Sequence, residues 1–167
     1  MKILETERLI LREFQISDAA YFFELNEDFE VIKYTGDKSF KSINESEIFL
    51  QNYSHYQKYN FGRWAVISKS SSEFLGWCGL KFTPETNEVD IGFRFLKKYW
   101  NQGFATESAK ACLKIGFEEF KLDKIIGQVM AENIASIKVL ENIGLVFEKE
   151  FDFNGNLGFI YVKRKSN

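Results

Sequence analysis

The chain has 167 residues, with 22 Lys and Arg against 24 Asp and Glu, 45% hydrophobic residues and 18 Phe. That is ample apolar material for one core, and 28% charged residues with a mean hydropathy of -0.26 argue against a disordered chain. A net charge of -2 gives no electrostatic footprint for nucleic acid or an anionic membrane surface.

No apolar run approaches the ~20 residues that span a bilayer, and the opening Met1-Lys2-Ile3-Leu4-Glu5-Thr6-Glu7 carries acids where a signal peptide would be apolar. A cytoplasmic protein is expected. Cys78 and Cys112 are the only cysteines, lack CxxC spacing and sit in apolar periodic segments, so buried free thiols are expected. With His55 as the only histidine, neither a metal site nor a Ser-His-Asp triad has material here.

Taken in chain order, Leu9 to Phe14 alternates as a first strand, and Ser17-Asp18 reads as the start of a helix through Leu25. Asn44 or Ser46 caps a second helix running through Ile48, Leu50, Tyr53 and Tyr56 towards Tyr59. Arg63 to Ser68 and Phe74 to Phe82 read as strands two and three around a polar turn at 69–73. The single proline, Pro84, marks a turn before a fourth strand, Val89 to Phe95. Gly103 to Phe120 has helical apolar spacing at Ala105, Ala109, Cys112, Leu113, Gly116 and Phe117. Ile125 to Met130 is a fifth strand, and Ala135 to Ile143 a helix stopped by Gly144. Leu145 to Phe151 and Gly158 to Lys163 close the chain as strands six and seven. The pattern predicts one domain over 1–167, of the α/β (mixed α+β) class, with a central, mostly antiparallel sheet flanked by helices.

Two segments carry chemistry. In Tyr99-Trp100-Asn101-Gln102-Gly103-Phe104-Ala105-Thr106-Glu107, small residues at 103 and 105 let a ligand approach the backbone, and the free N–H groups of a helix start suit a pyrophosphate. A plain helix start accounts for the same residues. A dinucleotide site fits poorly, because GxGxxG and a preceding parallel βαβ pattern are missing. In the second segment, Asn133 and Ser136 are three apart and share one face of a helical turn, though Asn133 is equally a simple N-cap.

Read together, these segments resemble the GNAT superfamily of N-acetyltransferases, and within it the ribosomal-protein N-acetyltransferase-like branch. The opening Thr6-Glu7-Arg8-Leu9-Ile10-Leu11-Arg12 is similar to the branch's "TERLxLR", and Leu75-Gly76-Trp77-Cys78-Gly79-Leu80 to its "IGxxGL". Asp90 to Phe95 followed by 99–107 looks like "EIGYxL…YWGxGYATEA", and Asn133 through Leu145 like "NxxSxxxxxKxGF".

The resemblance implies a sheet splayed between strands four and five, acetyl-CoA as acyl donor and a primary amine as acceptor. Backbone groups of Phe93 and Phe95 would meet the pantetheine arm. The pyrophosphate would sit on the amides around Gln102, Gly103, Phe104, Ala105 and Thr106, with Trp100 and Asn101 also binding the donor. Asn133 and Ser136 would face the thiol end and take part in catalysis, and Asp90 is the first candidate base, acting through water. No metal is implied, and the protein would be a monomer or homodimer. The chain departs from the wider pattern at Asn101 (usually Gly), Asn142 (usually Lys) and Leu140, where many relatives carry a tyrosine acid. A non-catalytic acyl-CoA sensor and a purely structural domain stay open at this point. For Tyr53, Tyr56, Tyr59 and Phe61, core packing is favoured over an acceptor pocket.

Overall fold

The computed structural model describes residues 1–166. Its strands are β1 (Lys2–Glu5), β2 (Leu9–Arg12), β3 (Arg63–Ser68), β4 (Phe74–Thr83), β5 (Glu88–Phe95), β6 (Lys124–Met130), β7 (Val146–Phe153) and β8 (Asn156–Arg164). They form one sheet in the order β1-β2-β3-β4-β5-β6-β8-β7. Its helices are α1 (Ala19–Glu27), α2 (Phe29–Ile32), α3 (Ile43–Gln51), α4 (His55–Tyr59), α5 (Phe104–Glu118) and α6 (Ile134–Asn142). Sequence periodicity had not marked β1, so strands four and five of the sequence reading are β5 and β6.

Every ladder is antiparallel except β5–β6, which is parallel and held by the single pairing Asp90↔Ile126. The reason is topological: α5 crosses between these two strands, so they run the same way, and beyond that pairing they diverge. The sheet opens there, as the resemblance implied.

The sheet buries both faces. On one, Leu9, Leu11, Trp64, Val66, Cys78, Leu80 and Ile91 pack against Ala109, Cys112 and Leu113 of α5. On the other, Ala65, Phe74 and Leu96 pack against Ala19, Phe22 and Leu25 of α1 and Leu50 of α3. This explains the near-continuous apolar reading of β3 and β4, since a strand covered on both faces need not alternate. Cys78 and Cys112 are free and buried, their sulfurs 3.7 Å apart across the β4–α5 contact.

Two sequence boundaries shift for identifiable reasons. Ahead of α1 comes a 3₁₀ turn, Ile16–Asp18, because the buried Asp18 carboxylate accepts from Gln15 N and from both terminal nitrogens of Arg12 at 2.7–2.8 Å. The long helix expected up to Tyr59 is instead α3, capped by Ser42, and a separate α4. Tyr53, between the two helices, and Tyr56, in the first turn of α4, are hooked to neighbouring backbone: Tyr53 Oη accepts from Arg63 N at 2.7 Å, while Tyr56 Oη donates to Arg63 O and accepts from Phe14 N. Two such anchors re-aim the chain at the cost of one helical turn.

No described helix is long and apolar enough to cross a membrane, and the described residues contain no cluster of His, Cys, Asp or Glu able to hold a metal ion.

Candidate active site

Where β5 and β6 part, a cleft of about 560 Å³ runs through the sheet. Its volume falls in the range of small-molecule sites. Phe93 and Phe95 of β5, Tyr99 to Asn101, Gly103 to Thr106, and Asn133, Ser136 and Lys138 line it from one side. Arg94 and, at α2 and just beyond it, Glu30, Val31, Lys33, Tyr34 and Thr35 line it from the other.

The β5 backbone is poised for a ligand. Leu96 N donates to Leu75 O of β4. The two-residue alternation of an antiparallel ladder therefore turns Arg94 and Gly92 to β4, and Phe93 and Phe95 to the gap. The carbonyl of Phe95 already accepts from Trp100 Nε1 at 2.8 Å, so this tryptophan braces the edge of the gap while its ring lines the cleft.

At the foot of the gap the chain turns into α5 through two residues with positive φ, Asn101 (φ 59°) and Gly103 (φ 80°). Asn is the non-glycine residue best suited to that conformation, so Asn101 preserves the turn that a glycine would make. The first amides of α5, at Phe104, Ala105 and Thr106, have no intrahelical acceptor and form an anion-seeking helix terminus. Gln102 lies outside the cleft lining; its Nε2 donates to Lys98 O.

Holding this turn is a contact between the chain's opening motif, at Thr6 and Arg8, and the first turn of α5. The carboxylate of Glu107 accepts from Thr6 Oγ1 at 2.5 Å, from Arg8 N at 3.0 Å and from Arg8 Nε at 2.6 Å. Arg8 Nη1 donates to Gln102 O, and its guanidinium sits 4.4 Å from the Phe104 ring centroid. Burial works to raise the Glu107 pKa, but these hydrogen bonds outweigh it and hold the group below its ordinary value.

Asn133 caps α6, its Oδ1 accepting from Ser136 N at 3.2 Å, and both residues line the cleft. Capping and site placement coincide. Asp90 does not line the cleft: its carboxylate is joined to Arg63 Nη2, and its backbone carbonyl accepts from Arg63 Nη1 at 3.0 Å. Arg63 reaches across Gly92, where an added Cβ would come within 2.6 Å of its guanidinium. Leu140 is 2% exposed and packs on Gly127. Tyr53, Tyr56, Tyr59 and Phe61 stay outside the cleft, in aromatic packing.

The sequence model of the acetyltransferase (GNAT) domain matches residues 8–146. The chain belongs to the GNAT acetyltransferase family. It is 33% identical over 150 residues to protein YkkB of Bacillus subtilis, covering 87% of this chain and 86% of that one. It is 30% identical over 152 residues to N-acetyltransferase p20 of Bacillus licheniformis, covering 90% and 84%. In structure it is similar to a GNAT-family acetyltransferase from Bacillus anthracis, with a TM-score of 0.84, 28% identity and 98% of each chain covered. The spermidine N-acetyltransferase of Vibrio cholerae, solved with CoA and spermine, shares the fold at a TM-score of 0.77 and 20% identity, with 94% of each chain covered.

GNAT enzymes draw their acetyl group from acetyl-CoA, and the chain's mixed fold is theirs. Within this GNAT domain, sequence reasoning missed Thr6 and Arg8 as braces of the turn, and Glu30, Lys33, Tyr34, Thr35 and Arg94 as cleft walls. Thr6 and Arg8 lay within a recognised motif, but nothing local tied them to Glu107, about a hundred positions away.

Proposed function

We propose that this protein transfers the acetyl group of acetyl-CoA to a primary α-amine, and that it belongs to the ribosomal-protein N-acetyltransferase-like branch on the strength of the motifs quoted above. One observation carries the reading: gap-facing β5 backbone and the start of α5, which no side chain caps, lie in the same cleft. The residues fit the donor. Phe104, Ala105 and Thr106 offer amides for its pyrophosphate, with Asn101 and Gly103 shaping the approach and Gln102 contributing backbone only. Trp100 and the Phe93 and Phe95 backbone border the pantetheine arm, while Lys138 supplies a cation on the α6 side.

In the reaction the amine nitrogen forms a bond to the thioester carbon, and the C–S bond then breaks. The N–H groups of Phe93 and Phe95 face the place where negative charge develops on the carbonyl oxygen. The departing thiolate takes its proton from water held by the Ser136 hydroxyl, and solvent replaces that proton so that Ser136 stays neutral, with Asn133 fixing the start of α6 and so the place of Ser136. The nitrogen releases its proton to solvent. Asp90, occupied by Arg63, acts at most through ordered water. A site with so little base suits acceptors already neutral: an α-amine has a pKa of about 7.7–8.0 against about 10.4 for lysine.

Calorimetry and an acceptor screen test the reading together. Acetyl-CoA should bind, NAD and ATP should not, and α-amines should be acetylated faster than lysine side chains or polyamines. A folded protein that leaves acetyl-CoA unbound sinks the donor assignment. Binding without turnover of any amine moves the protein to the acyl-CoA sensors.

A further inference from the structure

Arg94 alternates with Phe93 and Phe95 and so leaves β5 on the opposite face, towards α1 and the α2 loop. Its side chain is 10% exposed. Nη1 donates to Asn26 Oδ1 at 2.5 Å, Nη2 donates to Asp37 Oδ2 at 2.5 Å, and the guanidinium lies 5.3 Å from the Trp77 ring centroid. Nε is buried and has no partner. A guanidinium presents Nε–H and Nη2–H along one edge, the fork that grips a carboxylate with two parallel bonds. Asp37 fills only half of that fork, and the other half is an orphaned buried donor, which is costly to leave unmade.

The partner on that edge is also unusual. Asp37 is 55% exposed and sits in the loop after α2, with its N–H on Thr35 Oγ1 at 3.1 Å. Thr35 and Arg94 both line the cleft. The core thus gives this buried cation a neutral amide, and the neutralising carboxylate comes from a solvent-facing loop. The other charges on this wall, Glu30 and Lys33, are paired with each other at 3.2 Å.

We propose that Arg94 reads the acceptor, and that the acceptor is a free amino acid whose carboxylate takes the Nε–Nη2 edge now half-filled by Asp37. The α-amine, one carbon away from that carboxylate, is thereby fixed beside the gap between β5 and β6. This assignment rests on the acetyl-transfer reading above. It favours small acceptors that carry a carboxylate beside the amine, reacting as their neutral-amine fraction, over polyamines, which would meet Arg94 with a second positive charge, and over protein N-termini, which lack a neighbouring carboxylate.

The test compares an amino acid with its own carboxamide, for serine, leucine and phenylalanine, at saturating acetyl-CoA. The pair differs in one negative charge, and the carboxamide's less basic amine biases the comparison against the proposal. The wild-type enzyme should favour the amino acid in kcat/KM by roughly ten- to a hundredfold, the range of a charge-assisted hydrogen-bond pair. Arg94→Gln should collapse that ratio through KM. Asp37→Asn, on the exposed loop, should lower KM for the amino acid only, and keeps the test decisive if the Arg94 variant fails to fold. Equal or reversed preference in the wild type, or spermidine as the best substrate, overturns the proposal while leaving acetyl transfer intact. Bound acetyl-CoA with no acetylation of any amine overturns both.

Discussion

At Gly103, with φ at 80° and an added Cβ 3.3 Å from Arg8 Nη2, a side chain meets both backbone strain and the brace of the turn. Gly103→Val should weaken acetyl-CoA binding at least tenfold by calorimetry, with little change in secondary structure by circular dichroism. An unchanged affinity would remove this turn from the donor site. Leu140, the position where the family resemblance implies a tyrosine acid in many relatives, is buried against Gly127 and fills core volume. Leu140→Tyr should therefore destabilise the fold by about 1–3 kcal/mol in denaturant titration, with no gain in kcat. His55 reports at the same scale. Burial, helped by the charges of Lys81 and Arg63, holds its pKa below the ordinary value, and its Nε2 accepts from Phe82 N at 3.2 Å. The sign follows: a histidine with a depressed pKa stabilises fully above its unfolded pKa of about 6.5, and loses that contribution as pH falls through the lower folded value. His55→Gln should flatten the stability profile in that acidic window, and an unaltered profile would show that His55 does not set it.

Elements are positioned here by contacts distant in sequence. The turn after β1 and the start of α5 are one unit, because Thr6 and Arg8 donate to Glu107. Glu107→Gln should cost about 1–3 kcal/mol of stability and raise KM for acetyl-CoA, since the terminus that offers its amides is then less firmly held. The Glu107 pKa lies below its usual value, so the stability it confers is present above about pH 4.3 and fades as pH drops through the folded value; the Gln variant should lack that fade. Much of the element map was legible in the sequence: α5 from its helical apolar period, α6 from Asn133 and Gly144, and the splayed strands from the motif around 90–107. β1 places its two apolar residues, Ile3 and Leu4, side by side between charges with no alternation to mark a strand, and the split between α3 and α4 follows from tyrosine bonds to Arg63 and Phe14 that no local pattern announces. Arg94 was hidden for a similar reason. A charge inside a strand reads as solvated until the fold places Trp77, Asn26 and Asp37 around it.

For the molecule as a whole, the decisive feature is a sheet covered on both faces yet open between β5 and β6. In the proposed reaction the donor lies on the α5–α6 side and the acceptor on the α1–α2 side, so the gap is where the two would meet. Central to this account is acetyl transfer from acetyl-CoA to an α-amine, and release of free CoA thiol in the presence of amino acids tests it most directly. Thiol release that depends on the amine, with an acetylated α-amine identified by mass spectrometry, is the predicted result. Thiol release that is indifferent to the amine, or none at all from folded protein that binds acetyl-CoA, would contradict it.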